Sequence, residues 1–437
     1  MWEVFKMRII MYSLFFSIFL LDYLQGIGLL PRVFTYIPEL LSVIAGIIVI
    51  FIFVVRKSIN LTPAYGLIFI FLAVLILTGI FANQVPPETL FVAIRKYLKF
   101  LPFFFLPLVY DFSEKEIKGQ IIVILGLTLI QLPVALYQRF VESVGSSSGD
   151  LIGGTLGSAV RGSGLLTVYL VCAVAILTAF RVRKRISPLT YILLLMAFSI
   201  PTMINETKVT LFLLPLALIL PAVLVGTGSQ KIKNLFAGVF VAVVMLGTFA
   251  SVYNHFYSRG DRGIAEFFTQ EGRVEGYLNR SEEKIGQGRA GRVDAILIPL
   301  DILSKKPVSL MLGLGLGNVS HSSLGDEFSG DYYYQYGGYV QSAVSNLIWE
   351  IGILGLLLIS CLGYLLFKDA THLVKLKGIN GDIALGWACV VCIIAIAAFY
   401  TNIIGSNAIS YLFWYLSGYL VALSAKQRLA SNRYSWE

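Results

Sequence analysis

The feature that most constrains this chain is its succession of long apolar runs, each close to the ~20 residues that carry a helix across the hydrocarbon core of a bilayer. Twelve are read from the sequence: Ile9–Leu30, Tyr36–Val55, Ala64–Ala82, Leu90–Tyr110, Gln120–Tyr137, Gly162–Phe180, Leu189–Met203, Thr207–Val225, Leu235–Val252, Ala343–Phe367, Ile383–Tyr400 and Asn407–Leu423. The seventh and eighth abut through "PTMINETK", so that pair also reads as one broken segment and the count as eleven. The expectation is an all-α polytopic integral membrane protein with about twelve transmembrane helices, forming a single membrane domain over residues 1–437. Composition agrees, since 57% of residues are hydrophobic and 14% charged, far from an ordinary soluble domain. The first run is too long for the apolar core of a signal peptide and no A-x-A site follows it. It is read as an uncleaved span.

Basic residues set the expected orientation. With the N-terminus in the cytoplasm, the inner connections and termini hold eighteen Lys and Arg, from Lys6 and Arg8 to Arg428 and Arg433. The short outer connections hold four, Arg32, Arg139, Arg161 and Lys208. This bias predicts both termini in the cytoplasm, an even number of spans and a long extracytoplasmic loop, Tyr253–Ser342, between the ninth and tenth spans. The net charge of +9 is dispersed in small groups through these connections, which argues against a nucleic-acid partner. Cys172, Cys361, Cys389 and Cys392 all lie in apolar runs, where packing accounts for them better than redox chemistry or disulfides.

One interval departs from the membrane pattern. In "GRAGRVDAILIPLDILSKKPVSLMLGLGLG" (residues 288–317), Val293, Ile296, Leu297, Leu300 and Leu303 fall at helix-face spacing, with Arg292, Asp294 and Asp301 on the polar side. A short amphipathic helix at the membrane surface is predicted, kinked at Pro299 and ended by Pro307. Gly313, Gly315 and Gly317 then permit a tight turn or close approach to a ligand. The N-terminal end of such a helix suits an anion, because free amides and the helix dipole add to the charge of Arg289 and Arg292. A surface helix with merely solvated arginines has the same pattern.

Further cations stand at the outer ends of spans. Arg95 lies nearest the outer end of the fourth, whereas Lys96 and Lys99 behind it are placed to snorkel inward to the membrane surface. Arg161 opens the sixth, and Lys208 with Glu206 opens the eighth. A charge within a span costs a few kcal/mol unless it meets a partner or a wet cavity. Together these residues predict an outward-facing pocket for a diphosphate or other polyanion, with lipid headgroup pairing as the plainer alternative. His255, His321 and His372 show no metal-ligand spacing, so neither metal nor cofactor is expected. His321, in "GNVSHSSLG", has a side chain suited to a general base and equally to a polar loop surface. The run "DYYYQYGGY" (residues 331–339) offers stacking surfaces of the kind sugar sites use, or an interfacial aromatic belt. Arg139–Arg161, rich in Gly and Ser, reads as a flexible or re-entrant outer loop.

Taken together, "AGRVDAILIPLDILSKKPVSLMLGLGLGNV" and the later "SNLIWEIGILGLLL" resemble the O-antigen ligase and O-antigen polymerase superfamily. The positions that carry the likeness are Gly291, Arg292, Pro307, Gly313, Gly315, Asn346, Glu350, Gly352 and Gly355. "VRGSGLLTVYLVCAVAI" is similar to the family's Arg-x-Ser-Gly segment, and "NETKVTLFLLPLAL" to its Ser-Arg segment with Lys208 in the arginine's place. The resemblance implies a metal-independent, inverting glycosyltransferase at the outer face of the inner (cytoplasmic) membrane. Its donor would be a glycan on polyprenyl (undecaprenyl) diphosphate, and a glycan would be the acceptor. Arg292, Arg161, His321 and Glu350 would be catalytic, while Arg289, Arg95, Lys208, Glu206 and Asn346 would bind substrate. Membrane lipids and a chain-length regulator protein are the implied partners. Ligases of the superfamily usually carry a histidine before the Asn, and here that residue is Ser345. This favours a polymerase of O-antigen, capsule or exopolysaccharide repeat units, with a ligase as runner-up. A lipid-linked oligosaccharide flippase or transporter is the rival of another class.

Overall fold

The computed structural model describes residues 2–55, 62–143, 148–156, 162–225, 228–257, 263–279, 290–322 and 324–434, the side chains of 2–6 and 431–434 excepted. Among these residues every regular element is helical. The first half comprises α1 Trp2–Gly26, α2 Ile37–Val55, α3 Pro63–Leu77, α4 Pro87–Leu98, α5 Leu101–Val109, α6 Glu114–Leu129, α7 Gln131–Tyr137, α8 Gly162–Val182, α9 Pro188–Ile204, α10 Thr210–Leu224 and α11 Gly228–Tyr257. Across the expected long loop lie α12 Ile264–Thr269, α13 Arg273–Leu278, α14 Asp294–Ser304, α15 Pro307–Leu312 and α16 Tyr333–Tyr336. The chain closes with α17 Ala343–Leu373, α18 Ile379–Tyr400 and α19 Asn407–Tyr434. Nine helices among the described residues are long and apolar enough to cross a membrane, so this is a membrane-embedded, polytopic chain. Two more, α9 and α10, are apolar but shorter.

Local chemistry explains where helices begin. Ser113 and Glu116 form a reciprocal capping box at the start of α6. Ser187 caps α9, whose first residue is Pro188, a position where the missing N–H costs nothing. Two expectations need correction. The fourth apolar run is not one helix: α4 stops at Leu98 because Pro102 has no N–H for that carbonyl and its ring would clash there. The carbonyl of Lys99, exposed by the break, accepts a hydrogen bond from the Ser42 hydroxyl. Pro307, expected only to end a helix, opens a second one, α15, just after α14 ends at Ser304.

Helices α8, α18 and α19 form the centre, with α5 wedged between α2 and α19. Buried rings dominate there, among them Phe100 and Phe103 packed edge-on against Tyr411. The outer helices α2 and α11 expose Ile47, Phe51, Phe236 and Phe240, as a lipid-facing surface requires. At one end of the bundle, basic residues close ion pairs between helix ends. Arg8 meets Glu116, Arg185 meets Asp382, Arg428 meets Asp369 and Lys426 meets Asp111. These pairs gather the starts of α1, α6 and α18 with the ends of α8, α17 and α19.

Candidate functional site

The site grows from a break in α17. Residues 342–352 are all buried, so this first third of the helix runs through protein. Ser342 caps it, accepting from the Ser345 amide at 3.1 Å, while Ser345 Oγ accepts from the Ser342 and Gln341 amides at 3.0 and 3.2 Å. Gly352, at φ 63° and ψ −165°, then interrupts the helix in a conformation open to glycine. Carbonyls that lose their helical donors find new ones: Leu314 N donates to Trp349 O at 2.8 Å and Gly315 N to Glu350 O at 3.1 Å. The approach is so close that a Cβ on Gly313 would lie 2.4 Å from the Glu350 carbonyl carbon, and one on Gly352 2.5 Å from the Met311 carbonyl carbon. Gly313 therefore serves a close approach of backbone to backbone, as the tight-turn reading expects, while Gly317 lines the cavity described below. Non-helical backbone inside a membrane protein is tolerated where protein or a cavity surrounds it. Both are present here.

At the break sits Glu350, fully buried. Tyr97 OH donates to its Oε2 at 2.9 Å and accepts from Asn346 Nδ2 at 3.0 Å. Ser320 Oγ donates to its Oε1 and lies 3.2 Å from Asn346 Oδ1. Asn346 and Glu350 stand one helical turn apart on the same face, and α4 and the loop after α15 supply their partners. Glu350 lines a cavity of about 200 Å³ together with Lys96, Ser320, His321, Arg95 and Lys99. A buried carboxylate held by two hydroxyls beside fixed cations is the kind of group that can take a proton from a bound hydroxyl.

The cations of this cavity are not equivalent. Arg95 pairs with Glu39 at 2.6 Å, and Lys99 reaches the same carboxylate at 3.2 Å and Asn407 Oδ1 at 2.8 Å. Neither is a free anion ligand, and Lys99 does not run inward to the membrane surface as its position had suggested. Lys96 instead donates to Ser320 Oγ at 3.3 Å and meets no carboxylate among the described residues. It is the cation of this cavity that Glu39 leaves unneutralised. His321 lies at the same cavity with half its side chain exposed and its Nε2 2.9 Å from Asp326.

The remaining expected residues lie elsewhere. Arg292 precedes α14, donates to Gln341 O at 3.2 Å just before α17, and stacks 4.6 Å over the Tyr400 ring. Tyr400 OH lies 2.7 Å from Tyr277 OH, and Lys208 Nζ sits 5.3–5.7 Å from the rings of Phe267, Tyr253 and Tyr277. Arg292 and Lys208 thus flank one tyrosine pair, apart from the Glu350 cavity. Glu206 binds the Gly149 amide at 3.1 Å. Arg161 and Arg289 lie outside the described residues. The single outer pocket expected from sequence is in this respect corrected to two groupings, joined through the first turns of α17.

Tyr97, Ser320 and Glu39 are the residues that sequence reasoning missed, and Lys96 was passed over as a side chain able to reach the interface. Lys96 and Glu39 carried a signal, a charge within an apolar run, whereas Tyr97 and Ser320 carried none. No group of three or more His, Cys, Asp or Glu among the described residues is placed to hold a metal ion. Compared with models of known protein families and with curated protein sequences, the chain matches none.

Proposed function

We propose that this chain is a membrane glycosyltransferase that polymerises glycan repeat units carried on polyprenyl diphosphate, at the outer face of the cytoplasmic membrane. Glu350 carries the reading: a fully buried carboxylate at a helix break, held by Tyr97 and Ser320 in a cavity shared with Lys96. In the proposed step an acceptor hydroxyl oxygen attacks the anomeric carbon as its proton passes to Glu350. The bond from that carbon to the diphosphate oxygen breaks, and the single displacement inverts the centre. Charge growing on the departing diphosphate needs fixed cations. Lys96 in the cavity and Arg292 at the entrance to α17 are the candidates, with Arg161 and Arg289 in support. Ser345 favours polymerase over ligase, because its hydroxyl is committed to the cap of α17 and offers no base before Asn346.

A second reading has its own observation. A buried carboxylate at a broken helix is also how transporters couple movement to protons. Glycan analysis after deletion of the gene separates the classes. Loss of a polymerase leaves single repeat units on the final acceptor, and loss of a ligase strands full-length chains on the lipid carrier. Loss of a flippase traps repeat units at the inner leaflet. Unchanged polymer length and attachment would overturn the proposal.

A further inference from the structure

Two lines of touching rings run inward from the surface of the loop, one to the buried Trp349 and the other to His321 at the Glu350 cavity. In one, Tyr332 stacks on Tyr336 at 6.1 Å, and Tyr336 stacks on Trp349 at 4.7 Å with ring planes 17° apart. Trp349 is fully buried and precedes Glu350. In the other, Tyr334 meets Tyr333 edge-on at 5.3 Å, and Tyr333 lies 5.3 Å from His321, a residue of the cavity. The outer ends of both lines are open: Tyr332 is 39% and Tyr334 68% exposed. Their backbone is anchored. Asn318, buried, accepts from Asp331 N on its side chain and from Tyr332 N on its carbonyl, both at 3.0 Å, and donates to Leu314 O at 2.9 Å.

We propose that Tyr332 and Tyr334 form a stacking platform for neutral pyranose rings, leading a glycan from solvent to the His321 side of the cavity. Sugar C–H groups are attracted to the negative face of an aromatic ring, while ring edges and nearby polar groups serve the hydroxyls. Tyrosine gives this area with only two torsions to fix, and the anchored turn lowers that cost further. The alternative is an interfacial belt, and the local charge disfavours it wherever the membrane surface is anionic. From Pro307 to Phe367 the sequence has no Lys or Arg, while Asp326, Glu327 and Asp331 precede the tyrosines in the same loop and Asp326 pairs with His321 at 2.9 Å. Segments that settle on an anionic membrane surface carry the opposite charge. The same carboxylates disfavour acidic sugars. Calling the bound glycan the acceptor rests on the transferase reading, whereas sugar binding at the platform stands by itself.

The full chain in lipid nanodiscs, titrated with glucose-, galactose- and N-acetylglucosamine-based oligosaccharides and observed by saturation-transfer NMR, tests this. Neutral oligosaccharides should bind the wild type more tightly than oligogalacturonate does. The double variant Tyr332→Ala/Tyr334→Ala should bind about tenfold more weakly, from two lost ring contacts. Tyr332→Phe/Tyr334→Phe should retain binding, which excludes a general loss of structure. Equal binding by wild type and the Ala variant, or no binding of any neutral sugar by the wild type, overturns the platform. So does quenching, by lipids brominated on their acyl chains, of the fluorescence that a Tyr334→Trp variant adds to that of the five native tryptophans. Sugar binding without chain extension would remove the transferase reading and leave the platform. Chain extension indifferent to the Ala variant, with unaltered sugar binding, would do the reverse.

Discussion

At the scale of residues, the cations of the cavity differ in whether a carboxylate already satisfies them. Glu39 lies 56 residues from Arg95 in sequence, and it binds both Arg95 and Lys99. Removing Arg95 leaves Glu39 its lysine, whereas removing the carboxylate leaves two neighbouring cations in a largely buried setting. Glu39→Gln should therefore cost about 2 kcal/mol after allowance for partial exposure. It should lower the thermal unfolding midpoint of the purified protein more than Arg95→Ala does. Lys96→Ala should leave the midpoint unchanged and reduce chain extension strongly, since Lys96 holds no ion pair among the described residues. A greater loss of extension from Arg95→Ala than from Lys96→Ala would reverse the assignment. Sequence could mark Arg95 and Lys96 alike as costly charges in a span. It could not say which was neutralised, because the neutralising group arrives from a distant helix.

At the scale of elements, the informative feature is the break at Gly352. The spacing of Glu350, Gly352 and Gly355 was visible as a resemblance. That Gly352 takes positive φ, and that Leu314 and Gly315 repair the lost helical hydrogen bonds, depends on a segment about forty residues earlier in the chain. Gly352→Ala should destabilise the protein by at least ~2 kcal/mol, from backbone strain alone, and the clash with Met311 adds to it. Gly363→Ala, on the same helix with nothing within 4 Å of the new Cβ, should be neutral or slightly stabilising. Thermal unfolding of the two variants side by side checks this, and equal midpoints would remove the strained break from the account. The split between α4 and α5 was within reach of the sequence, because Pro102 marks it. Hydropathy averaged over the run hid it: the turn at Lys99 and Phe100 lies between the amphipathic α4 and the strongly apolar α5, which raises the mean across both.

At the scale of the molecule, the helical, membrane-embedded character follows directly from the apolar runs, since each must satisfy its own backbone in lipid. Orientation is a matter of charge, and the prediction is that Ser229 lies inside and Glu271 outside. In a background lacking the four native cysteines, an impermeant maleimide added to intact cells should label Glu271→Cys and spare Ser229→Cys. Labelling of Ser229→Cys alone would invert the topology and place the Glu350 cavity on the wrong side for an outer-leaflet donor. How the polar groups divide between the Glu350 cavity and the Arg292–Lys208 grouping could not be read in advance, because it depends on how α4, α10 and the loop helices pack on α17 and α18. The central claim is that this cavity polymerises lipid-linked glycan with Glu350 as the proton acceptor. Purified protein reconstituted in vesicles with a polyprenyl-diphosphate-linked repeat unit should produce a ladder of longer lipid-linked chains without another enzyme. Glu350→Gln, equally folded by its unfolding midpoint, should leave the repeat unit unextended. A ladder of undiminished rate from Glu350→Gln would contradict the claim.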